Sequence, residues 1–118
     1  MKDSNFKNIN FYIGKTAQEN WDLLDTSTKI NNDYIWFHLN SFPSCYVIMY
    51  STIKDLESLY SPNEVQEFLN YGANLCKENS KYSYLNDLKI LYSPLKKLKK
   101  TEKVGEVIVS GKRKTIKL

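Results

Sequence analysis

An amphipathic helix that begins just after Ser61 is the feature that most constrains the fold of this chain. Ser61 and Glu64 form a capping box, and Pro62 occupies the first helical position. Apolar or small side chains then recur at helical spacing, with polar residues between them: Val65, Phe68, Leu69, Gly72, Ala73 and Cys76. Because such an apolar face must be buried, we expect the helix to lie across one face of a sheet.

Strand patterns surround this helix. Residues 34–39 alternate, so that Ile35, Phe37 and Leu39 point one way while Tyr34, Trp36 and His38 point the other. Residues 45–50 predict a partner strand in a hairpin with residues 34–39. Further strands are predicted at residues 9–13 and 88–92, and residues 106–110 and 114–117 suggest a terminal hairpin around Gly111.

A second helix is predicted after Thr16, where Thr16 and Glu19 form another capping box. The predicted order is strand, helix, two strands, helix and three strands. It indicates an α+β fold, with a mostly antiparallel sheet of about five to six strands and two main helices packed on one face. Residues 51–60 are ambiguous.

The chain of 118 residues is 42% hydrophobic, which suffices for one folded domain with one core. We expect residues 1–8 to be a frayed N-terminus and residues 9–118 to form a single domain. No signal peptide or membrane span is evident, and Cys45 and Cys76 are expected to be buried free thiols. These features favour the cytoplasm.

Charge is sorted along the chain. Residues 89–118 carry nine Lys and one Arg against two acids, a net of +8, whereas residues 1–88 carry seven Lys against eleven acids, a net of −4. The densest part is a basic strip, defined as residues 95–100. Such sorting indicates a polyanionic partner, and nucleic acid is the first candidate.

The basic strip is predicted to bind phosphates, with further contacts from cations and polar groups elsewhere: Lys96, Lys97, Lys99 and Lys100 in the strip, and Lys15, Asn20, Lys81 and Arg113 outside it. Trp36 is interpreted either as a core residue or as a platform on which bases stack, and His38 either as a hydrogen-bonded structural residue or as a contact to nucleic acid.

The sequence gives little support for catalysis. Gly14-Lys15-Thr16 is similar to the end of a phosphate-binding P-loop, but Ile9 stands where that loop requires glycine. A single histidine and two separated cysteines are too few for a zinc site. We therefore predict no enzyme activity, no metal and no cofactor, with a processing activity centred on His38 as the weaker alternative.

Several segments, in order, resemble the NFACT-R domain family, also called DUF814. The similarity spans residues 11–118 and is carried by the motifs at residues 14–20, 35–38, 43–48, 79–81, 91–94, 98–100 and 105–108. The histidine that the family usually has near Val47 is Tyr46 in this chain.

The resemblance implies an RNA-binding module that acts on tRNA, rRNA or a ribosomal complex, since long relatives carry this domain in ribosome quality-control factors. We expect a stand-alone form, with the large ribosomal subunit as one candidate partner. DNA binding and a protein-interaction adaptor with a basic surface stay open as alternatives, as does an accessory link to tRNA modification.

Overall fold

The computed structural model describes residues 2–118. Within these residues, eight strands and three helices follow one another, with a short 3-10 turn at Leu95–Lys97: β1 Lys2–Phe6, β2 Ile9–Gly14, α1 Ala17–Ile30, β3 Ile35–Leu39, β4 Tyr46–Met49, α2 Ile53–Leu59, α3 Pro62–Glu78, β5 Lys89–Pro94, β6 Leu98–Lys100, β7 Val107–Val109 and β8 Lys114–Lys117.

Six strands form an antiparallel sheet in the order β1-β2-β4-β3-β5-β8, and β6 pairs with β7 in a small second sheet. The α+β class and the antiparallel sheet predicted from the sequence are thus confirmed. The predicted hairpin of β3 and β4 is present, with Phe37 opposite Val47.

The helices lie on opposite faces of the sheet, so the expectation that both pack on one face is wrong. On one face, α3 packs with Phe37 and Val47 in the larger core cluster. On the other face, Leu23 and Leu24 of α1 pack with Trp36 and other apolar side chains. The reason is that successive strand residues point to opposite faces, and both sets are apolar in β3 and β4.

The N-terminus is also more ordered than expected. Residues 1–8 were predicted to fray, but Lys2–Phe6 forms β1 and pairs with β2; Met1 lies outside the described residues. Lys7 and Asn8 both have positive φ, which suits the tight two-residue turn between the two strands. Phe6 anchors the strand, because its ring stacks on Tyr71 of α3 with centroids 4.6 Å apart.

The predicted terminal hairpin around Gly111 does not form. β7 pairs with β6 instead, and β8 pairs with the edge of β5. The two strands separate because they serve different cores: Ile116 is buried with the α3 cluster, whereas Val107 and Val109 pack against the α1 cluster.

Gly72 sets how closely α3 approaches the sheet. A Cβ atom at this position would overlap the ring of Phe37, which is fully buried on β3. We expect Gly72→Ala to lower the free energy of unfolding by about 1–3 kcal/mol, because the packed core must shift to admit one methyl group. Urea denaturation measures the effect.

The matched control is Asn74→Ala, on the exposed side of the same helix. It should stay within about 0.5 kcal/mol of the parent chain. Equal stability of Gly72→Ala and the parent would contradict the close helix–sheet contact.

Candidate nucleic-acid interface

A cleft of about 890 Å³ opens where β3 ends, β4 begins and α1 starts. Its walls come from separated parts of the chain, which include the start of α1, the β3–β4 connection, the turn after α3, the β6–β7 connection and the β7–β8 connection. Of the ten residues proposed from the sequence, the cleft brings together six: Lys15, Asn20, Trp36, His38, Lys81 and Arg113. The four lysines of the basic strip lie outside it.

Asn20 lines the cleft, but its side-chain oxygen is bound within the fold. It is only 5% exposed, and its Oδ1 accepts a hydrogen bond of 3.1 Å from the backbone N–H of Tyr46. A Cβ atom on Gly14 would stand 2.5 Å from the same oxygen, so only glycine fits there. Gly14 and Asn20 of the first motif therefore join α1 to β4, and the sequence-based proposal that Asn20 binds nucleic acid gains no support from this burial.

Tyr46 links the sheet to the β6–β7 connection, which forms one wall of the cleft. Its hydroxyl donates a hydrogen bond of 2.6 Å to the carbonyl oxygen of Gly105, in the connection before β7. Burial, and then the negative charge of Glu106, raise the pKa of Tyr46 well above its usual value, which keeps the hydroxyl a donor. Gly105 has φ of 86° and lies against Ala17 of α1, where a side chain would collide.

Trp36 belongs to the core. It is 2% exposed, and its ring is parallel to that of His38, with centroids 5.3 Å apart. The alternative in which bases stack on an exposed Trp36 ring is therefore not what the structure shows. Trp36 instead packs beside His38 in the cleft lining.

His38 is partly buried and hydrogen-bonded, as the structural interpretation proposed. Its Nδ1 lies 2.8 Å from the carbonyl oxygen of Leu39, so Nδ1 carries the proton and Nε2 is an acceptor in the neutral ring. Burial lowers the pKa of His38 below its usual 6.5. The imidazole is therefore neutral at physiological pH, and it lines the cleft without adding positive charge.

The charge of the cleft comes from its rim. Lys15, Lys81, Lys103 and Arg113 line it, against one carboxylate, Glu106. All four cations are exposed, and Arg113 Nη1 donates to Asn40 Oδ1 at 3.3 Å. Lys103 was not among the ten site residues named from the sequence, although it ends the wider basic segment, residues 95–103, that was expected to track phosphates. Four cations around one concave surface favour an anionic ligand.

The basic strip divides into two pairs of lysines. Lys96 Nζ lies 2.7 Å from Asp33 Oδ1, and Lys100 Nζ lies 2.7 Å from Asp25 Oδ2. Lys97 and Lys99 form no ion pair within residues 2–118. The acidic body, which the sequence presented as a separate region, thus partly neutralises half of the strip.

The strip borders the cleft through the small sheet. β7 contributes Val107 and Val109 to the cleft lining, and β6 is its hydrogen-bonded neighbour. Adjacent strands lie about 4.8 Å apart. The strip and the cleft lining therefore lie on adjacent strands of the small sheet.

Two aromatic residues of the cleft were missed from the sequence. Phe42 and Tyr82 are half-buried, both line the cleft, and their rings stack with centroids 4.3 Å apart. Phe42 lies in the connection from β3 to β4 and Tyr82 in the turn after α3, so no local pattern pairs them. Only the proximity of Tyr82 to Lys81 could have drawn attention to it.

Within residues 2–118, no group of three or more His, Cys, Asp or Glu side chains is arranged to hold a metal ion. No helix in that part of the chain is long and apolar enough to span a bilayer.

The fold and the cleft define a small α+β module with a cationic surface built at the ends of its central strands. The family model described as the NFACT protein RNA binding domain matches residues 3–115, and the chain belongs to this family. The resemblance noted in the motifs is thereby confirmed.

One similar solved structure is the C-terminal part of the fibronectin/fibrinogen-binding protein from Streptococcus suis. It superposes with a TM-score of 0.72 at 25% sequence identity, over 93% of this chain. The chain spans only 40% of that structure. Comparison with curated proteins gave no significant match.

The buried His38 ring predicts how stability depends on pH. The unfolded chain binds a proton at His38 near pH 6.5, whereas the folded chain resists it. The contribution is therefore fully present above that pH and is lost as the pH falls toward the lowered pKa of the folded state. We expect the parent chain to lose more stability between about pH 7.5 and pH 5 than His38→Asn, whose amide can keep a hydrogen bond to Leu39 without titrating.

Urea denaturation of both proteins at each pH gives the comparison. The carboxylates are common to both chains, so the difference between them isolates His38. The same pH dependence in both would contradict a lowered pKa.

Proposed function

We propose that this chain is a non-catalytic RNA-binding module that docks on tRNA, rRNA or a ribosomal complex. The observation that carries the proposal is the gathering of Lys15, Lys81, Lys103 and Arg113 around one cleft, on a chain that belongs to an RNA-binding domain family. These four residues are far apart in sequence. Lysines that served only to keep the protein soluble would not need to gather around one concave surface.

We propose that the strip lysines and the rim cations bind different phosphates, according to where they lie. Lys97 and Lys99, which lack an ion pair within residues 2–118, would track phosphates along the strip. The cations of the cleft rim would hold phosphates nearer the floor. Counterion release from such contacts gives affinity without sequence preference, so sequence or shape selection would fall to the cleft.

The cellular part of the proposal is a cytoplasmic module whose partners are tRNA or the large ribosomal subunit. Crosslinking in cells, followed by sequencing of the bound nucleic acid, tests it. We expect enrichment of tRNA or rRNA fragments. Recovery of no RNA above background would contradict the proposal, and enrichment of DNA would favour the DNA-binding alternative.

One observation favours the protein-interaction alternative: the similar Streptococcus suis protein is named for binding fibronectin and fibrinogen. An acidic protein surface could meet the same cations. Nuclease treatment of a pull-down separates the two functions, because a partner held through RNA is released by digestion and a direct protein partner is retained.

The split within the strip gives a sharper test in solution. We expect Lys97→Ala with Lys99→Ala to flatten the plot of log affinity for tRNA against log salt by about 1.4 to 1.8 units, since each phosphate contact contributes about 0.7 to 0.9. Fluorescence anisotropy over a salt series measures the slope.

The matched control removes the same charge from the paired lysines, as Lys96→Ala with Lys100→Ala. Because Asp33 and Asp25 already neutralise these side chains in part, their loss should release fewer counterions and change the slope by less than about one unit. Equal slopes for the two double variants would contradict the division of the strip.

A further inference from the structure

We propose that the cleft holds one unpaired nucleotide of an RNA strand, with its base stacked on the Phe42–Tyr82 pair and its phosphate among the rim cations. The inference rests on the proposed function for the identity of the ligand as RNA. It adds the kind of RNA feature that is read, namely a strand end or an extruded nucleotide rather than the outside of a helix.

The Phe42–Tyr82 pair has the geometry of a stacking platform. Its rings are 30° from parallel with centroids 4.3 Å apart, and both side chains are half-buried, so they are anchored in the core and still reach the cleft. The turn that carries Tyr82 is held by hydrogen bonds to Ser80 Oγ and from the backbone of Leu85. A base added to such a pair extends an existing stack without ordering a new side chain.

The Trp and the second Tyr that line the cleft are unsuited to this role. Trp36 and Tyr46 are almost wholly buried, and their edge-to-face contact at 5.4 Å is part of the core. We therefore assign to Phe42 and Tyr82 the stacking role that the sequence analysis considered for Trp36.

The surrounding charge suits a nucleotide rather than a neutral ring. Lys81 is the chain neighbour of Tyr82, and Lys15, Lys103 and Arg113 complete the rim. A ligand that satisfies this cleft is one that combines a flat apolar face with a nearby anion. A nucleotide has both in one unit.

The size of the cleft suits a single unpaired nucleotide. At about 890 Å³ it falls within the range of about 300–1,000 Å³ typical of small-ligand sites. The faces of bases inside a duplex are covered by their neighbours, so a base can stack on protein aromatics only when it leaves the helix.

The test compares a short oligoadenylate with a blunt RNA duplex as probes. We expect Tyr82→Ala to weaken binding of the oligoadenylate by about fivefold to 150-fold, the range measured when one stacking ring is removed, and to leave binding of the duplex unchanged. Tyr82→Phe keeps the ring and should bind like the parent chain.

The matched control is Tyr84→Ala. Tyr84 is 77% exposed and only two residues away, but it does not line the cleft, so its loss should leave both affinities unchanged. Thermal melting of each variant shows whether it is folded. As a measurement that needs no variant, a fluorescent adenine analogue in the oligonucleotide should be quenched when it stacks on the parent protein.

The results separate this inference from the function on which it rests. Parent-like binding of oligoadenylate by Tyr82→Ala, an equal loss in Tyr84→Ala or Tyr82→Phe, or an unquenched analogue would overturn the stacking site while the parent still binds RNA. Failure of the parent chain to bind either RNA probe would overturn the proposed function itself. Tighter binding of the matched deoxyoligonucleotide would overturn the assignment of the ligand as RNA.

Discussion

The rest of the structure depends on the burial of both faces of its two central strands. Phe37 and Val47 require cover on one side, and Trp36 and Ile48 require it on the other. One helix cannot provide both, so α3 covers the first face while α1 and the small β6–β7 sheet cover the second. Because both faces of these strands are covered, only the ends of the strands are accessible to a ligand, and the cleft lies at one such end.

Hydrogen bonds within the fold connect the walls of the cleft. One of the residues that form them, Asn20, was interpreted from the sequence as a contact to nucleic acid. Tyr46 donates its backbone N–H to Asn20 and its hydroxyl to Gly105, so one residue of β4 connects α1 to the connection before β7. Gly14 is required where Asn20 comes close. Several motif positions are thus structural supports, whereas the cations and the Phe42–Tyr82 pair that also line the cleft are not tied into the fold in this way.

The ion pairs of the structure distinguish paired from unpaired lysines in the basic strip, which the amino-acid composition cannot do. The net charge of residues 89–118 treats every lysine alike, but Asp25 and Asp33 return from the acidic part of the chain to pair with two of them. Exposed ion pairs of this kind add little stability. Their consequence is that, among residues 2–118, Lys97 and Lys99 of the strip keep their charge unpaired.

The sequence by itself determined the α+β class, the capped helix α3 and the pairing of β3 with β4, because capping boxes and alternation are local patterns. Only the tertiary structure decided that β1 is ordered, that α1 and α3 lie on opposite faces of the sheet, and that β7 and β8 do not pair with each other. It also decided which cations share the cleft. These outcomes depend on contacts such as Phe6 with Tyr71 and Phe42 with Tyr82, which join residues distant in the chain. No local pattern encodes such pairs, since they form only when the whole core is packed.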